Sequence, residues 1–177
     1  DSRTFIGGIP IEQETRPIWT NAVDTYFLPV LPEYGRNIKP GEKSVKDFKV
    51  TLWRWRDDFQ NDFAARINWT IKPMKEANHP PVPRLNHPEK FSIKSGELIR
   101  LDAHLSTDPD GDSLSYSWFP YPEAGSYKGL VRINGAENAT TATATAPNVN
   151  KPETLHFILR LSDKGTPPLT RYKRVIV

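Results

Sequence analysis

The chain has 177 residues, 37% apolar, 25% charged and 11% aromatic, which is enough to bury a core and argues against global disorder. Its 24 basic and 21 acidic side chains leave a formal charge of +3, spread too evenly to point to nucleic acid, and no apolar run is long enough to span a membrane. Cysteine is absent, which excludes disulfides, thiolate nucleophiles and zinc–thiolate centres.

The chain starts Asp1-Ser-Arg, with no basic-then-apolar segment, so it reads as a mature protein or as a piece of a longer one. Residues 1–47 carry scattered aromatic and proline interruptions, among them Phe5, Pro10, Pro17 and Trp19. Such a segment is expected to pack on something else and not to fold alone. Phe48, Val50 and Leu52 alternate and predict a strand. Phe59, Phe63 and Ile67 then recur every four residues without Gly or Pro, which predicts a helix near 57–69. Asp57 or Asp58 can cap its start and meet the positive end of its dipole.

Proline marks the next boundary. Of 17 prolines, Pro73, Pro80, Pro81, Pro83 and Pro88 fall close together. Proline fixes φ and removes a donor, so residues 78–88 read as a semi-rigid connector between a segment 1–77 and a domain 89–177. Beyond it the period is two. Ile99, Leu101, Ala103 and Leu105 alternate with polar residues, as do Leu114, Tyr116 and Trp118. Thr141, Thr143 and Thr145 alternate with alanines, and Leu155, Phe157, Leu159 and Leu161 continue the pattern before the β-rich end Arg171–Val177. Turns stand between them at Asp108-Pro-Asp-Gly-Asp112 and Asp163-Lys-Gly-Thr-Pro-Pro168. The expected fold is mostly β: an antiparallel β-sandwich of immunoglobulin type, preceded by a helix-containing segment.

Several stretches resemble a known family. They are Trp53-Arg-Trp-Arg-Asp-Asp-Phe-Gln-Asn-Asp-Phe-Ala-Ala-Arg-Ile-Asn-Trp69, Glu76-Ala-Asn-His-Pro-Pro81, Leu101 through Trp118, Tyr121-Pro-Glu-Ala-Gly-Ser-Tyr127 and Leu161 through Tyr172. Together they resemble the C-terminal half of a bacterial family often labelled cellulose-binding, in which a nucleoside-hydrolase-like domain precedes an immunoglobulin-like sandwich. The Asp-Pro-Asp-Gly-Asp and Tyr-Ser-Trp elements are shared with PKD and cadherin-like domains. The resemblance implies that residues 1–77 close a nucleoside-hydrolase-like domain of the same protein and that 89–177 are the sandwich. It also implies an exported protein, extracellular or periplasmic. Nucleoside hydrolases carry an Asp-x-Asp-x-x-x-Asp-Asp motif that holds calcium, and no such spacing occurs here. The catalytic motif is therefore expected upstream. The chain alone is not expected to be an enzyme, whereas a longer parent would be a nucleoside-hydrolase-like glycosidase acting on an N- or O-glycosyl bond.

Three constellations are candidates for function. Asp108, Asp110 and Asp112 place carboxylates at alternate positions, which suits a hard cation such as Ca2+. An EF-hand needs glycine and glutamate where Ser113 and Phe119 stand, so a tight turn built on Asp and Gly is favoured. Tyr116, Trp118, Phe119, Tyr121 and Tyr127 form an aromatic group. Trp118 shares a face with Leu114 and Tyr116 and is expected in the core. Phe119, Tyr121 and Tyr127, with Glu123 in the same loop, are left as candidates for polysaccharide contact, against the alternative that they pack over a sheet edge. Around the helix, Arg54, Arg56, Asp57, Asp58, Asn61, Asp62 and Arg66 lie beside Trp53, Trp55 and Trp69. They read as caps and ion pairs such as Asp62–Arg66, and as a surface docking on another domain or backing its site. The histidines show no metal-ligand spacing. A non-catalytic, carbohydrate-associated module is the leading expectation, with a share in a glycosidase site as the alternative.

Overall fold

The computed structural model describes residues 5–6, 9–10, 24–27, 44–47 and 55–177 except 123. The chain divides into two compact units, Asp1–Asp57 and Asp58–Val177. In the first, β1 (Phe5–Ile6) pairs antiparallel with β2 (Ile9–Pro10), and β3 (Asp24–Phe27) with β4 (Ser44–Asp47). The strand expected at Phe48, Val50 and Leu52 lies outside the described residues, as do Trp53, Arg54 and Glu123.

Helix α1 spans Arg56–Ile71, slightly longer at both ends than the spacing predicts. The strands of the second unit are β5 (Leu98–Asp102), β6 (Ser115–Pro120), β7 (Ile133–Asn134), β8 (Thr141–Thr145), β9 (His156–Ser162) and β10 (Thr170–Ile176). They form two three-stranded antiparallel sheets, ordered β10–β9–β6 and β5–β8–β7. The two sheets bury one common core, so the unit is a β-sandwich.

The alternation sorts the side chains. In β9, Phe157, Leu159 and Leu161 are fully buried while His156, Ile158, Arg160 and Ser162 face outward. Trp118 is 1% exposed, as the pattern around it predicts. In β8 the alanines face in and the threonines out. Small Ala142 and Ala144 share the core with bulky Trp118 and Phe157, so volume on one sheet meets space on the other.

The proline-rich stretch is extended chain laid along this sandwich. Pro81 is fully buried, and Val82 exchanges both backbone hydrogen bonds with Thr107, at 2.8 and 3.2 Å. Further on, the Ile176 N–H donates to the Glu89 carbonyl at 2.8 Å, and the Phe91 N–H to the Ile176 carbonyl at 3.1 Å. Prolines lack a donor, but the residues between them keep theirs and use them.

Leu159 is central in β9, with β10 on one side and β6 on the other. Leu159→Ala is expected to lower stability by about 2–5 kcal/mol, seen as a fall in the urea midpoint with the slope unchanged. A loss well below that range would contradict a shared two-sheet core.

Candidate functional site

The acidic helix start is turned onto the sandwich. Arg160 projects from the outer face of β9, level with Tyr172 of β10. Its Nη2 donates to Asp58 Oδ1 at 2.7 Å and its Nε to Asp58 Oδ2 at 3.2 Å, a two-pronged contact. Thr170 Oγ1 donates to Asp58 Oδ1 at 3.1 Å, and the Tyr172 hydroxyl donates to Oδ2. One turn along α1, Asp62 Oδ1 accepts from Arg171 Nη1 at 2.9 Å, while its Oδ2 accepts from Arg66 Nε at 2.7 Å. Asp57 is exposed. The expected Asp62–Arg66 pair is therefore present, and both acids reach further, to strands about a hundred residues away in sequence.

The electrostatics follow. Burial pushes the Asp58 carboxyl up, but Arg160, Tyr172 and Thr170 outweigh burial and hold it below its usual value. The hydrogen bond from Arg160 to Asp58 raises the guanidinium, and burial, followed by the hydrogen bond to Asp58 and then its charge, raises the Tyr172 phenol. At neutral pH the arrangement is one carboxylate, one guanidinium and two neutral hydroxyls. A carboxylate with both oxygens committed this way is poorly placed to bind a metal or take a proton from substrate.

With Asp58 and Asp62 facing the sandwich and Ala65 buried at 1% exposure, the apolar stripe of α1 faces away. Phe59, Phe63, Ile67 and Ile71 are 45%, 66%, 49% and 72% exposed. A stripe of that spacing ordinarily meets its own core. Here ion pairs, not apolar burial, decide which face of the helix is inside.

The end of α1 is fixed by Asn78 and His79, two residues the sequence placed in a connector. Trp69 Nε1 donates to the Asn78 carbonyl at 2.8 Å, and the Trp69 ring stacks on His79 with centroids 5.7 Å apart. The Asn78 amide donates to both oxygens of Asp163, at 3.2 Å each, and to the Pro167 carbonyl at 2.8 Å. It sits so close to Gly165 that any Cβ there would lie 2.2 Å from it.

The aspartate-rich turn is next to this. Asp108 Oδ1 accepts from the Asp110 and Asp112 N–H groups at 2.9 and 3.1 Å, and Gly111 adopts φ +83°. These are the contacts of a side-chain-closed turn. Asp110 accepts from the His79 N–H at 2.6 Å, and its Oδ1 lies 3.0 Å from His79 Nδ1. Burial, then the charges of Asp108, Asp163 and Asp110, push the Asp112 carboxyl up. Among the described residues no group of three His, Cys, Asp or Glu side chains is arranged to hold a metal ion.

The candidate aromatics separate. Phe119 is on the outer face of β6, paired with Ile158. The Tyr121 N–H donates to the His156 carbonyl at 2.7 Å, which extends the same edge. Both side chains are half-buried. Tyr127 instead packs against the core cluster, and its N–H donates to the Thr154 carbonyl at 3.3 Å. Trp55 and Arg56 are half-buried at the start of α1.

Residues 98–177 match the family model described as cellulose-binding protein Sde0182, C-terminal domain. The resemblance carried by Leu101–Trp118 and Leu161–Tyr172 is borne out by this Sde0182 match. A solved structure from Saccharophagus degradans, described as a nucleoside hydrolase-related hypothetical protein associated with carbohydrate metabolism, is similar with a TM-score of 0.67 and 35% sequence identity. The match covers 77% of this chain and 34% of that one, so the chain spans about a third of that protein's length. No curated protein matches the chain.

The residues that sequence reasoning missed are Arg160, Thr170, Arg171 and Tyr172 opposite the acids, and Asn78 in the connector. Asp58 and Asp62 stand one helical turn apart and so share a face, which signals a paired cationic surface. Nothing local says where that surface lies.

Two outcomes are expected. Asp58 is depressed in the folded state, so the stability it confers is complete above the unfolded value of 3.8 and is lost as pH falls below it. Asp58→Asn should remove that part of the acid-limb slope and speed hydrogen exchange in α1 at neutral pH. An unchanged slope with unchanged exchange would contradict the anchoring role. For the turn, melting temperature should be the same in calcium and in EDTA, since Asp108 Oδ1 is taken by the Asp110 and Asp112 N–H groups and Asp110 by His79, although Asp108 Oδ2 is buried without a hydrogen-bond partner among the described residues. A rise in calcium would assign the loop as a cation site instead.

Proposed function

We propose that this chain is a carbohydrate-associated accessory module of an exported bacterial protein, working outside the cytoplasm. In this reading the sandwich contacts cellulose or a related polysaccharide, and α1 is the mount for a nucleoside-hydrolase-like domain of the same protein. The observation that carries it is the outward row of Phe119 and Tyr121 on a sandwich of the Sde0182 C-terminal type. Aromatic faces bury the C–H face of a sugar ring at little entropic cost. The description of the Saccharophagus degradans protein as nucleoside hydrolase-related and associated with carbohydrate metabolism supports the same reading.

The mount is the apolar stripe of α1. Phe59, Phe63, Ile67 and Ile71 run along four turns of helix that the sandwich already holds rigidly by its other side. An exposed stripe of this length marks an interaction surface. Among the described residues no helix is long and apolar enough to cross a membrane.

The alternative, in which Asp57, Asp58 and Asp62 belong to a glycosidase site, is less well supported. Asp58 and Asp62 are engaged by Arg160 and Arg171. Co-sedimentation of the chain with insoluble polysaccharides is the test. Retention on cellulose, xylan or a similar polymer is expected, with several-fold weaker retention for Phe119→Ala and Tyr121→Ala and none of that loss for Tyr127→Phe. Failure to bind any polymer would leave only a structural role.

A further inference from the structure

His156 opens β9, and a short stretch of chain folds over it. The Tyr121 N–H donates to the His156 carbonyl at 2.7 Å. Residues 124–129 then return across Thr154, just before His156. The Ser126 N–H donates to Thr154 Oγ1 at 2.9 Å, the Tyr127 N–H to the Thr154 carbonyl at 3.3 Å, and the Thr154 N–H to Ser126 Oγ at 2.8 Å. Gly125 lies against both residues: a Cβ there would be 2.5 Å from the Thr154 carbonyl oxygen and 3.6 Å from His156 Cδ2. Beside the ring is a small cavity whose walls are mostly apolar, among them Pro120, Pro122, Tyr127, Val131 and Leu155.

This enclosure suits one protonation state of the imidazole. Nδ1 is buried and has no hydrogen-bond partner among the described residues. A neutral ring tolerates that, because its single proton sits on Nε2 and Nδ1 carries only a lone pair. A charged ring does not, because Nδ1 then bears an N–H whose burial without an acceptor is unfavourable. The surrounding charges act in the same direction. Arg174 is diagonal to His156 on β10, by the pairings Arg174↔Ile158 and Ile176↔His156. Lys128 belongs to the covering stretch, where its Nζ donates to the Pro122 and Gly125 carbonyls at 2.8 and 2.6 Å. Of the acids nearby, Glu153 is engaged by Ser126 and Lys151, and Glu89, beside β10, by Lys173. Tyr121 and Tyr127 bring phenols to the same end of the sheet. Burial first, then the charges of Arg174 and Lys128, hold the imidazole below its ordinary value of 6.5.

We propose that residues 124–129 are an acid-released flap, closed over the neutral His156 ring and let go when Nδ1 takes up a proton. The flap is the part that yields, because β9 is the central strand of its sheet and is paired on both sides. Opening lets water accept from the Nδ1–H and carries Lys128 away from the new charge. The open form binds more protons than the closed one, so closure is complete above pH 6.5 and weakens as pH falls below it. This device does not depend on polysaccharide binding.

The test is an NMR pH titration of the whole chain, following the His156 ring and the backbone amides of Gly125, Ser126 and Tyr127. The ring should titrate below 6.5, and these amides should shift with the same midpoint. Hydrogen-exchange protection at Ser126 and Tyr127, corrected for the intrinsic rate, should fall roughly threefold from about pH 7.5 to about pH 5.5. His156→Gln cannot take up the proton and should abolish both responses. Arg174→Ala should move the shared midpoint up toward 6.5. Arg174 is exposed, so this second variant keeps the core and the test stands even if His156→Gln folds poorly. Flap amides that stay put while His156 titrates, a transition that persists in His156→Gln, or a ring midpoint at or above 6.5 would each overturn the proposal.

Discussion

Arg160 stands on the outward side of the central strand of its sheet, and Asp58 comes to it from the first turn of a helix 102 residues earlier. Two hydrogen bonds from the guanidinium, one from Thr170 and one from Tyr172 saturate the carboxylate. Half-buried charge is unfavourable when unpaired, and removing one partner of such a pair is worse than never burying it. This contact therefore fixes where the helix lies. Its geometry is far better than that of a typical surface pair, whose worth is small.

One consequence follows from that placement. The helix contributes its acidic side and Ala65 to the sandwich, so its apolar side is left outward.

Much of the sandwich was legible. Period-two alternation placed Ile99, Leu101, Trp118, Phe157, Leu159 and Leu161 inside, because pleating forces successive side chains to opposite faces. The four-residue spacing of Phe59, Phe63 and Ile67 located α1, yet it did not tell which side is covered. That choice depends on Arg160 and Arg171, which are distant in sequence and become neighbours only when the sheet forms. The short β7 at Ile133–Asn134 has too few residues to show a period. The prolines at 80–83 correctly signalled extended chain. Whether extended chain is free or laid on a sheet is decided by donors such as Val82 N–H, about which composition is silent. Tyr127 and Tyr121 looked alike in the loop, and their separation into core and surface came from how the Gly125–Ser126 step folds back on Thr154.

The most direct test of the central claim is a double-mutant cycle on Asp58→Asn and Arg160→Met, read by equilibrium urea unfolding at neutral pH. The account predicts strong coupling, with the double variant losing less than the sum of the single losses by more than about 0.5 kcal/mol. Additive losses would contradict it, because they would mean that helix and sandwich are held together by something other than this pair.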